Sequence, residues 1–338
     1  MKLYFFLAIP LLLAAYFLYE EEEVLMEKQK GVCWVGMPDT ITREDVIKLK
    51  KSGITWISQT PFGWQQAPSD TILRFEKNTN RTPWWGESFE GIAATTRLAK
   101  QEGIQTILKP HLWLRQSWPG EVEMKSEKEW QAWFRAYEEF ILGYAALADT
   151  TGIEILCIGT ELQKTIHRSE WVSLIKKTRN VYKGKLTYAA NFNEFEKVPF
   201  WNELDFIGIQ AYFPLTKDEN PTLEKLELGW QEPMKRIEEV HRKINRPVLF
   251  TEVGYKSTAD AAIEPWLWPS REMVGNVSQQ TQANAYHAFF KVMWKKDWME
   301  GVYFWKWYPK TPKRSVDHDF TPQGKEAEKI MTEWFSKK

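Results

Sequence analysis

Net charge is the first thing this chain lacks: 45 basic and 45 acidic side chains cancel. Nothing in that balance draws it toward nucleic acid or an acidic surface. Cysteine is scarce as well. Cys33 and Cys157 are the two in 338 residues, and neither sits in a C-x-x-C or other metal spacing. Both fall in expected strands well apart in strand order, which favours buried free thiols over a disulfide. No G-x-G-x-x-G or P-loop pattern occurs, so a nucleotide-binding α/β fold has no support. Internal repeats, low-complexity tracts and linkers are also missing, and one domain is the simplest organisation. Asp317-His318-Asp319 comes nearest to a metal cluster but reads better as a solvated loop; no metal or other cofactor is implied.

What is abundant is tryptophan, with 19 residues. Some of these pack a core, but a core prefers Leu, Ile and Val, whereas Trp suits a flat apolar face meeting a partly polar partner. A sugar ring, with C–H groups on its faces and hydroxyls on its rim, is such a partner. The other conspicuous feature is the nearly continuous apolar run Leu3 to Tyr19, preceded by Lys2 and followed by Glu20 to Glu23. A run of about 17 residues just spans a bilayer as a helix. Lys before it and acid after it place the N-terminus inside and the remainder outside. A cleaved signal peptide is the rival reading. The run shows no convincing small-x-small cleavage site, which favours an uncleaved membrane anchor within residues 1–27. On either reading residues 28–338 form one exported domain, expected as a monomer.

Short apolar segments rich in β-branched and aromatic residues recur after the anchor. They are Gly31–Gly36, Ile54–Pro61, Gln105–Trp113, Ile153–Leu162, Lys185–Asn191, Phe206–Leu215, Pro247–Tyr255 and Gly301–Pro309, eight candidate strands. Segments with apolar residues at helical spacing separate most of them: Thr42–Ser52 (with Thr42 as N-cap), Phe89–Glu102, Glu127–Thr150, Ser169–Tyr182, Pro233–Lys243, Ser278–Lys296 and Gly324–Ser336. The connection from Asn191 to Phe206 has no well-defined helix. Alternation of strand and helix implies a parallel sheet, and near-continuous apolar strands imply burial on both faces. Eight such units over roughly 310 residues fit a (β/α)8 TIM barrel better than a doubly wound sheet.

Barrels of this type work at the C-terminal ends of their strands. The side chains there include Lys109, His111 and Trp113 from strand 3, Glu161 from strand 4 and Asn191 from strand 5. Tyr212 follows on strand 6, Glu252 on strand 7, and Trp305 and Trp307 on strand 8. Glu161 and Glu252 each follow an apolar strand directly, so neither sits on a solvated helix face. One such Glu is reasonably a buried salt-bridge partner. Two at the same end of one barrel point further, because glycoside hydrolysis needs paired carboxyls, about 5–5.5 Å apart in retaining enzymes.

Glu on strand 4 with Glu on strand 7 resembles the large retaining clan of barrel glycosidases, clan A. More specifically, Gly159-Thr160-Glu161-Leu162, the run Asp205 to Leu215 and Thr251-Glu252-Val253-Gly254-Tyr255 are similar to glycoside hydrolase family 113, the β-mannanase family. The aromatic end of strand 8 and Phe320 to Lys325 fit too, and the resemblance runs from near Gly31 to the last helix. It implies Glu161 as acid/base, Glu252 as nucleophile and Tyr212 as hydrogen-bond partner of the nucleophile. It also implies a strand 8 Trp under the sugar, Trp305 in preference to Trp307. The substrate implied is β-1,4-linked mannan, glucomannan or manno-oligosaccharide. Thr160 departs from the clan pattern: many members carry there the Asn that contacts the sugar 2-hydroxyl, which leaves Asn191 or His111 as the replacement.

The two Glu must differ in pKa to do different jobs. Glu252 is expected to be ionised, held so by Tyr212 and a cation, for which Lys109 and Arg115 are the candidates. Glu161 is expected to be protonated, through desolvation and the charge of Glu252. Lys109 and His111 fall in an inward-facing alternation that favours sugar binding. Two long loops carry further aromatics: Phe62 to Glu90 with Trp64, Trp84 and Trp85, and Lys256 to Val277 with Trp266 and Trp268. Trp84 or Trp85 is expected to face sugar, the others to pin the loops. Competing readings are a β-glucanase with the same Glu pair, a non-catalytic polysaccharide-binding barrel, which has no need of that pair, and a metal-dependent barrel enzyme.

Overall fold

Short strands with apolar residues on both faces leave no side for water, and the chain meets this by closing them into a barrel under a helical layer. The computed structural model describes residues 27–79, 83–268, 276–310, 312 and 316–337. The barrel strands are β1 (Gln29–Trp34), β2 (Trp56–Gln59), β3 (Gln105–Leu108), β4 (Ile155–Thr160), β5 (Lys185–Asn191), β6 (Phe206–Gln210), β7 (Val248–Val253) and β8 (Met299–Trp307). Neighbours in sequence pair in parallel, and β8 closes on β1. The expected (β/α)8 barrel is present.

The outer layer comprises α1 (Arg43–Lys51), α2 (Phe89–Gln101), α3 (Glu127–Thr151), α4 (Glu170–Val181), α5 (Leu223–Gly229), α6 (Gln231–Ile244), α7 (Gln279–Val292) and α8 (Glu326–Ser336). The longest, α3, starts where Ser126 accepts the Glu129 amide and stops at Gly152 in the left-handed region, φ 65°. Between β5 and β6 the chain makes only the short 3-10 turns Phe195–Lys197 and Trp201–Glu203, as the missing helical period there suggests.

Side-chain alternation divides the core. Cys33, Trp56, Ile107, Ile155, Cys157, Ala189, Phe206, Leu249 and Tyr303 fill the barrel. Val32, Ile57, Leu156, Ile158, Phe250 and Phe304 face outward into the larger helix-covered cluster. Each buried large apolar side chain contributes about 1.5–3 kcal/mol. Cys33 and Cys157 are buried free thiols, as expected. Trp133, Trp171, Trp201 and Trp230 are fully buried, so part of the tryptophan excess is packing.

Three local features position the mouth of the barrel. The pairing of β4 with β5 shifts register between Cys157 and Thr160, and that of β7 with β6 shifts between Phe250 and Glu252. Such irregularities re-aim the side chains beyond them. At Gly159 a Cβ would lie 2.8 Å from Trp171 Cη2 and 2.9 Å from Tyr188 Cε2, so glycine there lets both rings close on β4. The third is a correction to the expected Gln105–Trp113 strand. Pro110 has no amide to donate, and barrel pairing stops at Leu108. His111–Leu114 instead pairs with Phe62–Gln65, which also holds Leu73–Arg74, in a separate three-stranded sheet. Trp133 Nε1 ties that sheet to α3 by donating to Gln65 Oε1 at 2.9 Å. The expected anchor Leu3 to Tyr19 lies outside the described residues, among which no helix is long and apolar enough to cross a membrane.

Candidate active site

Glu252 sits at the end of β7, almost fully buried. Lys109 Nζ donates to its Oε1, and Tyr212 OH donates to its Oε2 at 2.7 Å. Lys109 is sealed from solvent, and its Nζ also reaches Thr251 O at 3.0 Å and Gln210 Oε1 at 3.3 Å. Gln210 Oε1 is held in turn by Thr251 Oγ1 at 2.9 Å. Burial by itself raises the Glu252 carboxyl, but the Lys109 charge and the bonds from Lys109 and Tyr212 win, and its pKa lies below the ordinary value. Burial works against the Lys109 charge too, and Glu252 reverses that, so the Lys109 pKa is raised. His111 Nε2 stands 3.6 Å from Glu252 Oε1. Burial and the charge of Lys109 push the His111 pKa down to about 3, so the ring is neutral and the contact is not an ion pair.

Glu161 leaves β4 in the left-handed region, φ 54°, a conformation that costs about 1–3 kcal/mol for a non-glycine residue. Its amide donates to Ala189 O at 2.8 Å, and Asn191 Nδ2 donates to its Oε1 at 2.9 Å. Burial, then the charges of Glu252 and Glu194, push its pKa up to about 8, against the opposing pull of Lys109 and Asn191. Two carboxyls at one end of the barrel are thus displaced in opposite directions. One is held ionised and suits attack; the other keeps its proton at neutral pH and suits acid catalysis.

The raised pKa has a stability consequence. Glu161 titrates near 8 in the folded chain against 4.5 for the free side chain. What its protonated form contributes is fully present below the unfolded pKa and lost as pH rises through the folded one. At pH 7 the unfolded chain has released this proton while the folded chain holds it, so the residue works against folding. Glu161→Gln should therefore melt higher at pH 7, by about 2–4 °C, with the gain fading toward pH 4. Calorimetry checks this; a variant that melts lower at pH 7 rules out a buried, protonated Glu161.

A cavity of about 870 Å³ opens on the β1, β2 and β8 side of the mouth, lined by Trp64, Trp84, Trp113, Trp268, Trp305 and Tyr308 among others. Neither carboxyl lines it, but Trp305 connects the two regions: a Cβ on Gly254, two residues past Glu252, would meet Trp305 O at 2.8 Å. On the other flank Trp266 stacks on Phe192, beside Asn191, with ring centroids 5.1 Å apart. Trp268 meets Trp305 edge-on at 6.2 Å. The segment after β7 therefore touches both sides of the mouth.

Of the residues assigned to sugar from sequence, Trp84, Trp113 and Trp305 reach the cavity, Asn191 reaches Glu161, and His111 lies at Glu252. The other assignments change. Lys109 lies beneath Glu252, out of reach of a ligand. Trp307 is buried in the cluster outside the barrel. It shares the i, i+2 spacing with Trp305, but the β1–β8 pairing slips between Phe304 and Trp307 and puts the two on opposite faces. Trp85 packs against the core under its loop. Arg115 is exposed, because its strand has left the barrel. Asp319 is not in a solvated loop: it is buried, with Lys306 Nζ at 3.3 Å and Tyr308 OH at 3.0 Å. Gln210, Tyr188 and Glu194 were not singled out from sequence. For Glu194 the only signal is its place three residues past the end of β5.

The sequence model of glycoside hydrolase family 113 matches residues 37–325. The structure is similar to a family 113 β-mannanase of Alicyclobacillus acidocaldarius solved in complex with ManMIm, with TM-score 0.79 and 27% identity over 91% of this chain and 97% of that one. It is similar to a family 113 β-1,4-mannanase complex with TM-score 0.79 and 23% identity, over 93% of this chain and 100% of the other. A β-glucuronidase from Ruminococcus gnavus shares the fold, with TM-score 0.61 and 13% identity over 91% of this chain and 50% of that one. No curated protein matches. A family match that takes in both barrel carboxylates and runs from the first loop to α8 leaves one conclusion: the chain belongs to glycoside hydrolase family 113 and is a glycoside hydrolase.

Proposed function

We propose that this enzyme cleaves β-1,4-mannosidic bonds in mannan, glucomannan or manno-oligosaccharides by double displacement. The observation that carries the mechanism is the opposite displacement of Glu252 and Glu161. Glu252 attacks the anomeric carbon while Glu161 protonates the departing oxygen. Formation of the glycosyl ester removes the Glu252 charge, so Glu161, having given its proton to the departing oxygen, stays ionised and accepts a proton from the attacking water. The family match and the β-mannanase likeness support mannan as the substrate class. The nucleophile keeps the sugar it attacks, so the cavity beside Trp305 takes the retained part of the chain. Phe192 and Trp266, stacked beside the Asn191 that bonds Glu161, flank the leaving part.

Time-resolved proton NMR of mannohexaose cleaved by residues 28–338 tests this reading. The β anomer should appear first, before mutarotation. An initial α anomer ends the double-displacement reading, and cleavage of cellohexaose with mannohexaose left intact moves the substrate to β-glucan. The kcat/KM profile should be bell-shaped, with its alkaline limb near 8, where Glu161 loses its proton, and its acid limb below the ordinary carboxylate range, where Glu252 gains one. A profile with a single ionisation counts against paired carboxyls. We also propose that Leu3 to Tyr19 tethers the domain outside the membrane; recovery of the full chain in soluble fractions, shortened at its N-terminus, means cleavage instead.

A further inference from the structure

We propose that Glu194 is a positioning residue for Glu161: through Tyr188 it holds the Leu162 amide, and so fixes the left-handed turn from which the Glu161 carboxyl projects. The proposal rests on the reading of Glu161 as acid/base. Its basis is a chain of bonds with no slack. Glu194 is fully buried, and its Oε1 accepts Tyr188 OH at 2.7 Å. The same hydroxyl accepts the Leu162 amide at 2.9 Å. Leu162 follows Glu161, whose φ of 54° needs outside support to persist. The Tyr188 ring can lie under this turn because Gly159 has no side chain.

A single turn delivers both supports of Glu161. The Glu194 amide donates to Asn191 O at 2.9 Å, and the Asn191 side chain donates to the Glu161 carboxyl. A fully buried carboxyl beside Tyr188 with one oxygen unpartnered among the described residues is expensive to keep. An amide or an apolar residue would pack there at less cost, so packing does not account for it. The groups that face Glu161 are Glu252 from β7, Tyr212 just past β6, Glu194 and Asn191 from the β5 end, and Lys109 just past β3. Burial pushes the Glu194 pKa up to about 7, so above that pH, where Glu161 titrates, Glu194 also adds negative charge beside the proton that Glu161 must keep.

The test compares Tyr188→Phe, Glu194→Ala and Glu194→Gln on mannohexaose, whose departing sugar needs a proton, and on 2,4-dinitrophenyl β-mannotrioside, whose leaving group does not. Tyr188→Phe and Glu194→Ala should lose about a hundredfold in kcat/KM on mannohexaose, the scale of a misplaced catalytic group, and keep it on the aryl substrate. Glu194→Gln retains an acceptor for Tyr188. It should keep most of the mannohexaose rate while its alkaline limb moves to lower pH. Equal losses on both substrates, or no loss on either, overturn the proposal and leave Glu194 a packing residue. If the first two variants do not fold, an unmoved alkaline limb in Glu194→Gln overturns it. Glu161→Gln run alongside separates the two levels: if that variant still cleaves mannohexaose well, the acid/base reading itself fails, whatever Glu194 does.

Discussion

Glu252→Ala should leave mannohexaose turnover near background, a loss on the order of 10⁵–10⁶ in kcat. No neighbour can take over the attack. Tyr212, buried against Glu252, has its pKa raised well above the ordinary phenol value, and Lys109 is sealed beneath the carboxyl. Glu161→Ala should also fail on mannohexaose but still form the glycosyl ester from a dinitrophenyl glycoside. Azide then distinguishes the roles. In Glu252→Ala it enters from the face the carboxylate vacated and gives an α-glycosyl azide. In Glu161→Ala it attacks the ester from the opposite face and gives a β-glycosyl azide. NMR of the two products checks the assignment: reversed anomers exchange the roles, and turnover by Glu252→Ala above about 1% of the parent removes covalent catalysis by that residue.

The candidate Glu pair was legible because each Glu follows an apolar strand closely, Ile155–Ile158 before Glu161 and Val248–Phe250 before Glu252, a local signal that survives folding. The eight strands were legible for the same reason, and β5 was found at its observed bounds, Lys185–Asn191. What sequence hid lies where the period of two is broken. Trp305 and Trp307 look equivalent by alternation, yet one slipped pair in the β1–β8 ladder sends one to the cavity and the other to the core. Pro110 was a readable stop signal for β3, and reading through it extended the strand and put Arg115 near the mouth.

Lys109 shows a different limit. Its inward direction was correct, but its depth was not available from the pattern: one layer down an inward lysine pairs with Glu252, and one layer up it would reach the mouth of the barrel. Glu194 was hidden for a further reason. Its burial depends on Tyr188 and on rings brought from the β5–β6 connection, where no helical or strand period marks an inside face. The resemblance to family 113 supplied the roles of Glu161, Glu252 and Tyr212, while the geometry supplies what holds each of them in its charge state.

Lys109→Met should damage folding and catalysis together, and a second substitution should separate the two. Methionine fills much of the lysine stem in the barrel interior but leaves Glu252 buried with no cation. Breaking a buried ion pair from one side costs about 3–5 kcal/mol. Glu252 then takes up a proton more readily, because burial raises its pKa and the Lys109 charge no longer opposes it, leaving chiefly the Tyr212 hydrogen bond on the other side. In the parent the depressed Glu252 pKa contributes stability that is present above the unfolded pKa and lost as pH falls through the folded one. In Lys109→Met the sign reverses: this residue's contribution is best at low pH and is lost as pH rises through the new, raised value. Catalysis falls with it, since a protonated Glu252 cannot attack the anomeric carbon. Adding Glu252→Gln removes the unpaired charge, so the double variant should melt above Lys109→Met while remaining inactive. Melting curves from acid to neutral pH for the three proteins decide the matter. If Lys109→Met keeps the parent's pH slope, Lys109 is not what holds Glu252 ionised. If the double variant melts no higher than the single one, the loss came from the space left by the lysine stem and not from the charge it neutralised.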